Sequence, residues 1–263
     1  MPDTPQDSRS SPLANKRGLV TGIANEHSIA YGCAKAFRRF GAELAVTYLN
    51  EKARPYVEPL ARDLGASIFM PLDVQQDASL KALFEAIEKS WGRLDFLVHS
   101  IAFAPKADLH GRVVDCSRDG FLLAMDISCH SFIRMARLAE PLMKNGGTLF
   151  TMSFYGAQKV VEHYNVMGPV KAALEGTARY LASELAPSGI RVHVISPGPL
   201  KTRAASGISH FDEVLEAAAA KAPARRLVTI EDVGIATAAL AGDGARLITG
   251  DTIYVDGGLH IVS

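Results

Sequence analysis

The chain has 263 residues, 48% of them hydrophobic and 21% charged, and its 28 Lys plus Arg balance its 28 Asp plus Glu. That is enough chain for one large α/β domain with a full core, and the neutral balance argues against a nucleic-acid or membrane partner. No uninterrupted apolar run approaches the ~18–20 residues that span a bilayer, and Cys33, Cys116 and Cys129 form neither a CxxC nor a metal-ligand cluster.

Residues 1–12 are polar and rich in Pro and Ser, without the apolar stretch of a secretory signal. They read as a flexible tail ahead of a single domain over 13–263, and a cytoplasmic location is the expectation. Strand and helix patterns then alternate. Arg17–Thr21 reads as a strand, followed by a glycine turn and a helix through about Phe40. Glu43–Tyr48 is a second strand, 52–64 a helix stopped by Gly65, Ser67–Met70 a third strand and 76–91 an amphipathic helix. Leu94–His99 is a fourth strand, and a long helix runs from near Asp119 to Glu140. Strand Gly147–Met152, a helix opening near Tyr164 and strand Ile190–Ile195 follow. A last helix starts near Thr229, where Thr229 and Asp232 have capping-box spacing, and strand Thr252–Val255 closes the set. Such repeated β-α units predict a single-domain, Rossmann-type, doubly wound parallel sheet of about seven strands with helices on both faces. Residues 201–222 break the rhythm and read as a substrate loop at a strand end.

Several strand ends carry residues suited to a dinucleotide. The turn from Gly22 to Gly32 places small residues, Gly22 and Ala30, where backbone must approach a pyrophosphate, with Ser28 able to cap the helix or donate to phosphate. Asp73, between Leu72 and Val74, ends the third strand, and Ser100, Ile101 and Ala102 follow the fourth. Pro199, Leu200 and Thr202 lie in a Pro/Gly-fixed loop after the sixth. Tyr164 and Lys171 lie seven residues apart, close to two helical turns, so one helix face would carry both a hydroxyl and an ammonium able to stabilise charge on a substrate oxygen. Taken alone, that pair reads better as a core tyrosine and a surface lysine, and it gains weight only from the dinucleotide-suited residues elsewhere in the chain. The eight histidines form no HExxH, His99 reads as a satisfied structural histidine, and no catalytic metal is expected.

The combination resembles the short-chain dehydrogenase/reductase superfamily, and within it the NAD(P)H-dependent enoyl-acyl-carrier-protein reductases. The resemblance covers about residues 14–258. It rests on Thr-Gly-Ile-Ala with Ser28-Ile-Ala, on His99-Ser-Ile-Ala-Phe-Ala-Pro105, on Tyr164-Asn-Val-Met-Gly168 with Lys171, and on Ala-Ala-Ser-Gly207. Members that reduce ketones place Lys four residues after Tyr; here the interval is seven, as in the enoyl reductases. The resemblance implies reduction of a trans-2-enoyl thioester on acyl carrier protein, with Tyr164 donating to the thioester oxygen and Lys171 holding the nicotinamide ribose. For the nucleotide it implies Gly22, Ile23, Ala24, Ser28, Ile29, Leu49, Asp73, Val74, Ser100, Ile101, Ala102, Met152, Lys171, Pro199, Leu200 and Thr202. For the acyl group it implies Ala104, Tyr155, Tyr164, Met167, Ala205 and Ile208. It also implies a homotetramer.

Two departures stand out. Phe154 occupies the place of a second tyrosine found in many members, and Ala102 that of a glycine. NADH is the expected cofactor and NADPH the lesser expectation. The second strand runs into Tyr48-Leu49-Asn50-Glu51-Lys52, where Glu51 disfavours a 2′-phosphate while Lys52 and Arg54 favour it. Lys201, Arg203, Arg225 and Arg226 are candidate contacts for the acidic carrier protein. A carbonyl reductase of the same superfamily and a non-catalytic dinucleotide sensor remain the alternatives.

Overall fold

The computed structural model describes residues 11–202 and 211–262. Seven parallel strands form one sheet: β1 (Arg17–Thr21), β2 (Glu43–Tyr48), β3 (Ile68–Pro71), β4 (Phe96–His99), β5 (Gly147–Met152), β6 (Ile190–Pro197) and β7 (Thr252–Val255), in the order β3-β2-β1-β4-β5-β6-β7. Register is set by pairs such as Val20 with Val98 and Val98 with Phe150. The strands are nearly continuous apolar runs because both faces are covered. Leu19, Leu97, Leu149 and Val192 point to one face, and Val20, Phe96, Phe150 and Ile195 to the other.

Helices α1 (Ile29–Arg39), α2 (Arg54–Asp63) and α9 (Ile230–Ala241) cover the second face. The first is covered by α3 (Asp77–Trp91), α5 (Arg118–Met125), α6 (Ser131–Ala139) and α7 (Met167–Leu185). Short helices α4 (Lys106–Leu109) and α10 (Leu259–Val262) and the longer α8 (Phe211–Lys221) complete the set. Fully buried rings such as Phe37, stacked on Phe96 with centroids 4.0 Å apart, each contribute ~1.5–3 kcal/mol from burial. Helices α1 and α9 cross at glycine: a Cβ on Gly234 would lie 2.2 Å from the Gly32 carbonyl oxygen, and one on Gly32 would lie 2.1 Å from that of Ile230.

Strands β2, β5 and β7 fall where the sequence places them, and the capping box forms, with Asp232 N–H donating to Thr229 Oγ1 at 3.1 Å and Thr229 N–H to Asp232 Oδ2 at 2.9 Å. Three expectations change. Residues 211–221, read as part of a loop, form α8. The long helix is interrupted by a π-turn over Asp126–His130. There the Ser131 hydroxyl donates to the Ile127 carbonyl at 2.6 Å, the kind of side-chain bond that bends a helix. Finally, α7 begins at Met167, so Tyr164 precedes the helix instead of riding on it.

Candidate active site

Strand order reverses between β1 and β4, and ligands of open parallel sheets sit at such a switch point beyond the carboxyl ends. Gly22 leaves β1 with φ +92°, and a Cβ there would lie 2.0 Å from the Ser100 carbonyl oxygen, so only glycine lets the two strand ends meet. Thr21 Oγ1 ties the same ends by donating to the Val98 carbonyl at 3.0 Å. Ser28 stands at the N-cap of α1 but makes no side-chain bond to the helix. Its oxygen instead accepts from the N–H groups of Ala24 at 3.0 Å and Asn25 at 3.1 Å, closing the turn on itself. The small turn leading into a helix N-terminus fits a pyrophosphate. Ile23 and Val74 are buried in the core, so their backbones rather than their side chains face any nucleotide. Asp73 holds the turn after β3, its Oδ1 accepting from Gln75 N–H at 3.0 Å. Leu49 is 57% exposed beyond β2, and the loop from Ser100 is pinned at Phe103, whose N–H donates to Ser128 Oγ at 2.9 Å.

The opposite end is built on β5 and α7. Lys171 is buried, and its Nζ donates to the Met152 carbonyl at 2.6 Å. Burial pulls its ammonium down to about 8, opposed by Cys129 and Glu175. Burial, and then the Glu175 charge, push the Tyr164 phenol above its ordinary value, so it stays a proton donor through neutral pH. Tyr164 sits in a turn flanked by His163 at φ 63° and Asn165 at φ 43°, left-handed positions that cost energy outside glycine and mark a specified geometry. Asn165 Nδ2 anchors that turn to the Leu109 carbonyl at 2.8 Å. The Tyr164 ring meets Phe154 edge-on at 5.0 Å and lies against Gly156. The two residues therefore do not share a helix face: Tyr164 is half-buried in the turn ahead of α7, and Lys171 is buried within the helix.

Ala104 and Met167 join Tyr164 in one apolar cluster with Ala124, Val166 and Val170. Tyr155 points elsewhere, packing with Ala218 of α8, with Ala222 just beyond it and with Leu259. Pro199 is buried and Leu200 packs on the core beside it. Ala205, Ile208 and Arg203 lie outside the described residues. Ile29 is partly buried at the start of α1, while Ala102 is exposed on the loop after β4. Thr202 ends the described part of the loop after β6. Two of the candidate carrier-protein contacts are committed internally: Arg226 pairs with Asp232 at 2.8 Å, and Arg225 donates to the Ala220 carbonyl. Arg54 is paired with Glu51 and Glu58, and Glu51 also accepts from Tyr48 Oη at 3.0 Å. His99 is buried between Thr151 and Ser131, its Nδ1 3.0 Å from the first hydroxyl and its Nε2 2.7 Å from the second. Among the described residues no three His, Cys, Asp or Glu side chains are grouped to hold a metal, and no helix is long and apolar enough to cross a membrane.

Sequence reasoning missed Glu175, Ser153 and Gly156. Glu175 follows Lys171 by one helical turn and is buried, accepting from Ser153 Oγ at 2.7 Å and Gln158 Nε2 at 3.4 Å. The spacing alone was a usable signal, because side chains four apart on a helix share a face.

A family model described as enoyl-(acyl carrier protein) reductase matches residues 22–260. The enoyl-[acyl-carrier-protein] reductase [NADH] FabI of Aquifex aeolicus is 49% identical over 251 residues, covering 95% of this chain and 93% of that protein. The reductase of Anaplasma phagocytophilum, solved in complex with NAD, superposes with a TM-score of 0.93 at 47% identity over 97% of each chain. The Bacillus cereus enzyme, solved with NADP+ and an indole naphthyridinone, gives 0.94 at 43% identity, covering 96% of this chain and 99% of that one. With the parallel sheet and the glycine turn at its switch point already in place, these likenesses make the chain a member of the enoyl-acyl-carrier-protein reductase family, within the short-chain dehydrogenase/reductase superfamily.

Proposed function

We propose that this chain reduces trans-2-enoyl thioesters carried on acyl carrier protein to the saturated acyl thioester with NADH, the closing step of a fatty-acid elongation cycle. The observation that supports the assignment most directly is a buried Lys171 tied to the Met152 carbonyl at the carboxyl end of β5, with a half-buried Tyr164, protonated at neutral pH, in the turn that leads into the same helix. When bound, the dihydronicotinamide supplies a hydride to the substrate β-carbon. Negative charge then develops on the thioester oxygen, and the Tyr164 hydroxyl donates to that oxygen. A donor aimed where charge develops, in a site shielded from water, is worth on the order of 3 kcal/mol. Lys171 holds the ribose hydroxyls and keeps positive potential beside the developing charge. The enolate then takes a proton at the α-carbon from solvent. Phe154 gives Tyr164 an apolar wall and adds no second hydroxyl. Ala104 and Met167 supply apolar surface for the acyl chain, and Tyr155, turned toward α8, borders its outer end.

NADH is supported over NADPH by the NADH-dependent relative from Aquifex aeolicus and by the two carboxylates, Glu51 and Glu58, that stand beside Arg54 beyond β2. Assembly as a homotetramer is supported by apolar side chains left exposed on α5 and α6, among them Leu122 at 48% and Ile133 at 37% exposure. Light scattering of the purified chain tests the assembly. The reaction is tested by following NADH oxidation with a crotonyl thioester, then with NADPH and with a ketoacyl thioester. Turnover of the enoyl substrate with NADH is the expected result. Turnover of the ketoacyl substrate alone would move the assignment to a carbonyl reductase, and binding of NADH without any turnover to a dinucleotide sensor.

A further inference from the structure

The proposed mechanism gives roles to Tyr164 and Lys171 and none to the buried carboxylate beside them. Glu175 is 3% exposed on α7, one turn beyond Lys171. A carboxylate is rarely buried unless its oxygens are satisfied, and here each has a donor on a different element. Ser153 Oγ donates to Oε1 at 2.7 Å, and Gln158 Nε2 donates to Oε2 at 3.4 Å. Ser153 follows Met152 directly, and the Met152 carbonyl is the acceptor of Lys171. Ser153 N–H itself donates to the Ile195 carbonyl at 2.8 Å, so the strand end is held from both sides. Gln158 closes the turn carrying Phe154, Tyr155 and Gly156, and two of these, Phe154 and Gly156, pack against the Tyr164 ring. One carboxylate therefore ties α7, the end of β5 and the turn behind Tyr164.

We propose that Glu175 is a positioning residue for the reaction. Through Ser153 and Gln158 it fixes the carbonyl that holds Lys171 and the turn that backs Tyr164, and it places a negative charge beside that pair. The other titratable groups facing this centre come from separate elements. Cys129 approaches from the π-turn and is 3.5 Å from Thr177 Oγ1. His99 approaches from β4, and burial, then the Lys171 charge, keep it neutral down to about 3. Tyr254 approaches from β7, where burial and then the charges of Glu175 and Asp256 raise its phenol. The Glu175 charge is felt at both Tyr164 and Lys171 and favours the protonated form of each, second to burial at Tyr164 and after Cys129 at Lys171.

The inference rests on the enoyl-reductase reading, so it is tested first without substrate. Glu175→Gln keeps the shape and an acceptor for Ser153 but removes the charge. The ε-carbon signal of Lys171 is titrated by NMR in the nucleotide-free protein, the signal being the one lost in Lys171→Arg. The expected result is a lower midpoint in Glu175→Gln, because the substitution removes one of the charges that oppose burial at Lys171. The alkaline limb of kcat should move down with it, and Glu175→Asp should restore its position. Ser153→Ala removes the brace and leaves the charge, so kcat should fall about tenfold with the limb unmoved. An unchanged Lys171 midpoint in Glu175→Gln would overturn the proposal. Should Glu175→Gln fail to fold, Ser153→Ala decides, and wild-type kcat there would overturn the positioning role. Failure of wild type to reduce a crotonyl thioester would instead strike the functional reading and leave the NMR result standing.

Discussion

Gly156 sits behind the Tyr164 ring, where a single methyl group would test how tightly the hydroxyl must be placed. A Cβ at 156 would lie 2.6 Å from Tyr164 Cδ1, 3.1 Å from Cε1 and 3.3 Å from Phe154 Cδ1. The nearest of these is about 1 Å inside the ~3.5 Å carbon–carbon optimum. The glycine is in a 3₁₀ turn and not among the positive-φ positions, so alanine is acceptable to the backbone and the strain falls on the rings. Phe154 is itself packed edge-on against Tyr155, with centroids 4.6 Å apart, so the Tyr164 ring has to move by most of that distance. A misplacement of about 1 Å in a catalytic group costs roughly 10²-fold in rate, or about 2.7 kcal/mol of transition-state stabilisation. Gly156→Ala should therefore lower kcat for the enoyl thioester by about two orders of magnitude. NADH affinity, read by quenching of its fluorescence, should change little, because Lys171 and the glycine turn are untouched. Wild-type kcat in a folded Gly156→Ala protein would refute the claim that the Tyr164 ring is fixed by its packing.

Gly22→Ala sets a Cβ against the Ser100 carbonyl at a φ that alanine rarely adopts, and should abolish measurable NADH binding in titration while some folded protein survives. Gly234→Ala pushes α9 off α1 and should cost about 1–3 kcal/mol in urea unfolding, with the midpoint moving and the slope unchanged. Acid should weaken the fold through two buried histidines. Burial, then Lys171, holds His99 neutral down to about 3, and burial, then Arg191, holds His193 neutral down to about 4. Both values lie below the ordinary 6.5, so the unfolded chain binds these protons first and stability falls as pH drops below 6.5. Between pH 6 and pH 4.5 each histidine should remove about 2 kcal/mol. His193 stacks on Phe150 and neither ring nitrogen has a partner among the described residues, so His193→Phe should recover about half of that loss. An acid transition identical to wild type would contradict this.

Much of the fold is legible because parallel strands buried on both faces are written as short apolar runs between turn signals. Glu43–Tyr48, Gly147–Met152 and Thr252–Val255 carry that pattern without ambiguity, and Thr229 with Asp232 announces a helix start by spacing alone. The start of α7 is not legible in the same way. The helical period in the sequence reaches back to Tyr164, but His163 and Asn165 take left-handed φ values that no periodicity records. The helix at 211–221 was hidden by the Ser-, Gly- and His-bearing stretch before it, although its own Leu, Ala and Glu content favours helix. The glycine turn and the strand-end residues could be read from one segment each. The Lys171 to Met152 bond, the Glu175 brace and the Gly156 contact join segments brought together only by the sheet. Ser28 illustrates the boundary: its N-cap position is readable, yet its hydroxyl is spent on Ala24 and Asn25.

Single-turnover reduction of a crotonyl thioester by Tyr164→Phe, with NADH saturating, isolates the role on which the mechanism turns. The substitution removes one oxygen and leaves the ring between Phe154 and Gly156. The hydride-transfer rate should fall about 10²–10³-fold, the loss expected for one donor to a developing oxyanion, with NADH affinity unchanged. A wild-type transient would show that the Tyr164 hydroxyl does not stabilise the enolate oxygen and that the charge is met by another group.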